Sequence, residues 1–106
     1  MELAQTAAAG NPRDPQTQAV LAWMFAAQHD PSQALTHVQS SLALAGDDPG
    51  ILENAAAVYE LLGQRQQAMQ FVAKAVAKGY PKSDLALDPD LRTLLTDPNL
   101  TYTPTK

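Results

Sequence analysis

Apolar residues recur at helical spacing in four successive blocks, which predicts an all-α chain. Over 31–45 the stripe Ala34, Val38 and Leu42 keeps the i, i+4, i+8 rhythm, with Leu35 and Leu44 beside it. Gln33, Thr36, His37, Gln39 and Ser40 read as the wet side of that helix. From Pro49, the residues Ile51, Leu52, Ala55, Ala56, Val58, Tyr59 and Leu62 form an inward side; after the turn Gly63-Gln64-Arg65, the residues Ala68, Met69, Val72, Ala75 and Val76 form another. The first block, Pro15 to about Gln28, differs. Its middle, Ala19 to Ala27, is apolar all round, which predicts a helix covered on more than one face.

Asp-Pro pairs mark the helix starts. Aspartate at the N-cap accepts a hydrogen bond from an otherwise unpaired backbone N–H, and its charge suits the positive helix end. Proline fits the first helical position, where its missing N–H would have had no partner. Asp14-Pro15, Asp30-Pro31, Asp48-Pro49 and Asp88-Pro89 therefore predict four starts, with Asp97-Pro98 opening a turn. After Gly79-Tyr80-Pro81 the pattern changes to a short turn at 83–87 and a helix from Asp88 to about Thr96. Leu85, Leu87, Leu91, Leu94 and Leu95 are its apolar side.

The blocks repeat. Residues 15–48 superpose on 49–82 with a shift of 34 and no gap, placing Ala22 on Ala56, Phe25 on Tyr59, Ala34 on Ala68, Val38 on Val72 and Leu42 on Val76. A fixed period of this length predicts stacked helix–turn–helix units. Residues 1–12 continue the register backwards as the second helix of a cut upstream repeat, so a larger parent protein is expected. Residues 83–97 read as a C-terminal cap and 98–106 as a loose tail.

Composition narrows the function classes. With no cysteine there is neither a disulfide framework nor a thiolate metal site. No apolar run is long enough to span a bilayer, so no membrane role is expected and a cytoplasmic location is. The net charge is −4, but five of the eleven acids are the Asp-Pro aspartates with a capping reason. The remainder is near neutral and gives no electrostatic basis for nucleic-acid binding.

The 34-residue period, Ala22 and Ala56 each followed three residues later by an aromatic, Gly63 in the turn, Ala34, Ala68, Ala75 and the inter-repeat prolines resemble the tetratricopeptide repeat family. Gln18 and Leu52 stand where the family has a large residue, and Ser41 where it has a small one. The resemblance implies a right-handed superhelical stack of antiparallel helix hairpins with a capping helix. The ending, Gly79-Tyr80-Pro81 through Asp97-Pro98, is similar to the closures of bacterial repeat arrays that follow kinase domains or transcriptional regulators.

In such arrays the first helices of successive hairpins line a concave face. By register that face here carries Gln16, Ala19, Trp23 and Ala26 from the first repeat, with Gly50, Glu53, Ala57 and Glu60 from the second. The family's carboxylate-gripping lysine and asparagine are absent, since Ala19, Glu53, Trp23 and Ala57 stand in their places. The implied function is protein or peptide binding, with Glu53 and Glu60 favouring a partner that carries lysine or arginine. Trp23 is either a binding anchor or a packing residue under the upstream helix. The alternative function is structural: a homodimer through the exposed side of the N-terminal hairpin.

Catalysis and cofactors are not expected. His29 at a turn and His37 on the wet side lack a third ligand, and no glycine-rich phosphate loop exists. Lys74, Lys78 and Lys82 read as the outer side of the last hairpin helix near its C-terminal end.

Overall fold

The computed structural model describes residues 13–100. Four main helices form two antiparallel pairs: α1 (Pro15–Ala27) with α2 (Pro31–Ala45), and α3 (Pro49–Leu61) with α4 (Arg65–Ala77). Then come α5 (Lys82–Leu85), a 3-10 turn (Pro89–Leu91) and α6 (Arg92–Leu95). The described residues are all-helical, with no strand among them. None of these helices is long and apolar enough to cross a membrane. The expected upstream half-repeat, 1–12, lies outside the described residues, as does the tail beyond residue 100.

Every Asp-Pro pair caps as its chemistry requires. Asp14 accepts the Gln16 N–H at 3.1 Å, Asp30 the Gln33 N–H at 3.3 Å, and Asp48 the Gly50 and Ile51 N–H groups at 2.8 and 3.2 Å. Asp88 accepts the Asp90 N–H at 2.9 Å, and Asp97 holds a turn by accepting the Asn99 N–H at 2.8 Å. The exception among the main helices is α4, whose N-cap Gln64 makes no side-chain capping bond.

Two apolar clusters hold the chain together. The first gathers Leu21, Ala22, Phe25, Ala26, Ala34 and Val38 from the first pair, with Ala55 and Val58 from α3. The second gathers Ala56 and Ala57 from α3, Ala68 and Val72 from α4, and Leu85, Leu91 and Leu94 from the cap. Helix α3 thus feeds both, and packs against α1, α2, α4 and the 3-10 turn. Alanines supply about half of these buried positions, and their small side chains let helices pack closely.

Several expectations are corrected. The helix that is covered all round is α3, not α1: Val20 is 51% and Trp23 41% exposed. His37 is on no wet side. Its ring stacks on Phe25 at 5.4 Å between centroids, and Nδ1–H donates to Gln18 Oε1 at 2.7 Å. Burial lowers its pKa, since the charged form loses water there.

The pair Phe25–His37 is the first copy of a pattern whose second copy is Tyr59–Phe71, stacked at 5.3 Å. The shift of 34 also superposes buried Gln18 on buried Leu52. One copy therefore buries a hydrogen-bonded polar pair where the other has two apolar residues.

The capping helix is broken in two. Leu91 N–H returns to the Asp88 carbonyl three residues back at 3.1 Å, so the first turn is 3-10 before α6 begins. Leu87 falls in the link before that turn and is 73% exposed, off the apolar side. Leu44 lies beside the 34–38–42 stripe and is also exposed, while Ser41 is buried with its hydroxyl donating to the Val38 carbonyl at 2.8 Å. Lys82 opens α5 rather than extending α4, which ends at Ala77.

Candidate functional site

The residues singled out in the sequence separate into three groups. Ala19, Ala26 and Ala57 are buried, at 3%, 0% and 2% exposure, and offer no open floor. Ala57 is covered by the cap, whose Leu91 and Leu94 share its cluster. Gln16 and Gly50 are exposed at the N-terminal turns of α1 and α3. Trp23, Glu53 and Glu60 remain, and each has been drawn into contact with another part of the chain.

Trp23 projects from α1 and its indole N–H donates to Asp90 Oδ2 at 2.8 Å. This bond joins the first hairpin to the cap across 67 residues of sequence. A tryptophan held by its polar edge, with much of the ring left in solvent, is fixed in direction without being part of the core.

Glu53 lies one turn before Ala57 on α3, the helix that packs against the 3-10 turn opened by Asp88. Burial first, then the neighbouring Asp88 and Asp90 carboxylates, push its carboxyl up to about 8. The same seam raises Tyr80 above the ordinary tyrosine range, through burial and then the charges of Glu53, Asp84 and Asp88. Glu53, Asp88 and Asp90 thus form an acidic rim beside Trp23.

Glu60 is paired inside the chain. Arg65 Nε donates to Glu60 Oε1 at 2.8 Å and its NH1 to Asp97 Oδ2 at 3.0 Å, so one guanidinium ties α3 to the far end of the cap. Glu60 and Asp97 together raise the Arg65 pKa. The Asn99 backbone N–H, then Arg65, hold the Asp97 carboxyl below its usual range. The expectation that Glu60 would face an arriving lysine or arginine meets an arginine already in place.

The lysines are spread out. Lys74 lies over the Phe71 ring at 5.1 Å and Lys78 reaches Asp47 at 3.3 Å in an exposed pair that contributes little. Among the described residues no group of three or more His, Cys, Asp or Glu could hold a metal ion. A shallow depression of about 270 Å³ on α4, lined by Gln66, Met69, Gln70, Ala73 and Asn99, contains none of the residues expected on the concave face.

Sequence reasoning missed Arg65, Asp88 and Asp97 as site residues because each had a local role as a turn or helix-start residue, and it missed Asp90 as well. One signal was present. Asp90 follows Asp88-Pro89 although a single aspartate suffices for the cap. No protein-family model matches the chain, and neither a curated protein nor a solved structure gives a match.

Proposed function

We propose that the chain is a tetratricopeptide-like binding module, its two hairpins stacked as a right-handed solenoid and closed by the cap, with no catalytic step. The partner is a protein segment carrying a lysine or arginine beside an apolar side chain. It lies across the face that bears Trp23, Glu53, Asp88 and Asp90. The observation that carries this reading is Trp23, 41% exposed yet oriented by Asp90. A large aromatic already fixed in direction gives contact area at little entropic cost. Asp88 and Asp90 next to it supply the charge preference, while the raised Glu53 carboxyl stays neutral near pH 7. The buried alanines contribute shape behind the face and no contact area.

Calorimetric titration of the full chain with short peptides of that composition tests the proposal. Trp23→Ala, folded by circular dichroism, is expected to lose at least about tenfold in affinity, the scale of a hot-spot residue. Unchanged affinity in that variant, or equal binding of acidic and basic peptides, overturns it.

Self-association has one observation in its favour. Asn54, the counterpart of Val20 in the second repeat, donates to the Ala19 carbonyl at 3.2 Å and so faces α1, whereas Val20 is 51% exposed. A second copy covering Val20 would fill the corresponding place. A monomer by light scattering at high concentration removes this reading.

A further inference from the structure

We propose that the depression on α4 is a docking groove for an extended segment with one aromatic residue, and that its occupant is residues 101–106 of the same chain, with Tyr102 seated on Met69 and Ala73. The groove shares no residue with the face that bears Trp23, so the proposal stands whether or not that face binds a partner.

The floor of the groove follows from the helix. Gln66, Met69, Gln70 and Ala73 stand at i, i+3, i+4 and i+7, on one face of α4. Met69 gives a soft apolar surface that favours an aromatic ring, and Ala73 leaves room beside it. The two glutamine amides each offer donors and an acceptor, which suits a passing main chain or a phenol hydroxyl. None of the lining residues is charged, so the groove calls for no charged ligand. At about 270 Å³ it is smaller than the pockets of about 300–1,000 Å³ that enclose small-molecule ligands. It suits one aromatic side chain and the main chain on either side.

The remaining wall, Asn99, is fixed from two directions. Asp97 accepts the Asn99 N–H at 2.8 Å and is itself held by the Arg65 guanidinium at 3.0 Å, at the start of α4. The next residue, Leu100, donates its N–H to the Asp97 carbonyl at 3.1 Å and packs against the second apolar cluster. The backbone is thus delivered to the edge of the groove.

The sequence continues from Leu100 with Thr101 to Lys106, and Tyr102 is the aromatic residue among them. Three residues from Asn99 to Tyr102 reach at most about 10 Å. The helix rise from Gln66 to Ala73 is also about 10 Å, so Tyr102 can meet any part of the floor. Pro104 biases Thr103 toward extended backbone, whose N–H and C=O groups have no partners within the segment and can use the glutamine amides. A tethered segment meets the groove at an effective concentration on the order of millimolar, which favours it over a segment from another molecule.

The experiment is NMR on the full chain. The expected result is a nuclear Overhauser contact between the Tyr102 ring and the Met69 methyl group. Tyr102→Ala should shift the amide signals of Gln66, Gln70 and Ala73, whereas Tyr102→Phe should keep the contact. Ala73→Gln places there the residue that the first repeat carries at Gln39, a good helix former, and should abolish the contact while circular dichroism stays unchanged. Absence of the contact in the wild type, or its persistence in folded Ala73→Gln, overturns the proposal. In a mixture of labelled and unlabelled chains, a contact that passes between molecules would seat a second copy's segment in the groove and overturn the assignment to the same chain.

Discussion

His29 and Gly63 occupy the same place in two successive hairpin turns, 34 residues apart, and both hold a left-handed backbone, with φ of 60° and 80°. In each turn the next residue's N–H reaches back five residues, Asp30 to Phe25 and Gln64 to Tyr59, both at 2.9 Å. This is the Schellman closure of a helix, which favours glycine at the left-handed position. An L-residue with a Cβ costs about 1–2 kcal/mol there, partly offset because glycine loses more backbone freedom on folding. His29→Gly should therefore raise stability by about 0.5–1 kcal/mol and Tm by a few degrees. Gly63→Ala should lower it by about 1 kcal/mol. Thermal unfolding of the two variants checks both signs.

The paired exchange between repeats gives a second expectation. Gln18→Leu leaves His37 Nδ1 without its acceptor in a half-buried place and should cost about 1–3 kcal/mol. Changing Gln18→Leu and His37→Phe together reproduces the Leu52 and Phe71 of the second repeat and should recover most of that loss. A double-mutant cycle by urea unfolding should return a coupling of about 1 kcal/mol or more; additivity would show that the pair is not coupled.

His37 and Glu53 impose opposite pH dependences on folding. The His37 pKa is lowered in the fold, so the native state binds fewer protons than the unfolded chain, and stability is lost as pH falls below the ordinary 6.5. The Glu53 pKa is raised to about 8 from 4.5, so the native state binds the extra proton, and stability is lost as pH rises across that window. Urea midpoints of the wild type should fall between pH 6.5 and 8. Glu53→Gln should remove that decline, and His37→Phe should weaken the decline on the acid side.

The cap leucines separate sharply. Leu91 is fully buried in the second cluster, and Leu91→Ala should cost about 2–4 kcal/mol through lost burial and the cavity left behind. Leu87 is 73% exposed, and Leu87→Ala should stay within about 0.5 kcal/mol. Equal effects in chemical unfolding would contradict the packing described.

The helix starts and the pairing of helices were legible because their causes are local. An Asp-Pro pair caps whatever follows it, and a stripe of alanines must find cover within a few residues of chain. The Trp23–Asp90 bond was not legible, since its partners are 67 residues apart and no periodic pattern joins them. His37 was misread because a polar residue counts as wet in any pattern. Only the buried Gln18 opposite it shows that the pair satisfies itself. Arg65 and Asp97 escaped notice for the same reason as Trp23: the turn and the cap that bring them together are set by the packing of α3 and α6, not by neighbouring residues.

That α3 serves both apolar clusters has a consequence for how the chain comes apart. Ala55 and Val58 face one cluster while Ala56 and Ala57 face the other. Melting α3 would strip both at once, so the chain has no seam at which half of it survives. Residues 15–48 expressed alone would leave the sides of Leu21 and Val38 that meet α3 open to water. Native-state hydrogen exchange should accordingly find α1, α2 and α4 sharing one ceiling of protection, as a single cooperative unit. The two copies are alike in sequence, yet they fold as one molecule rather than as two.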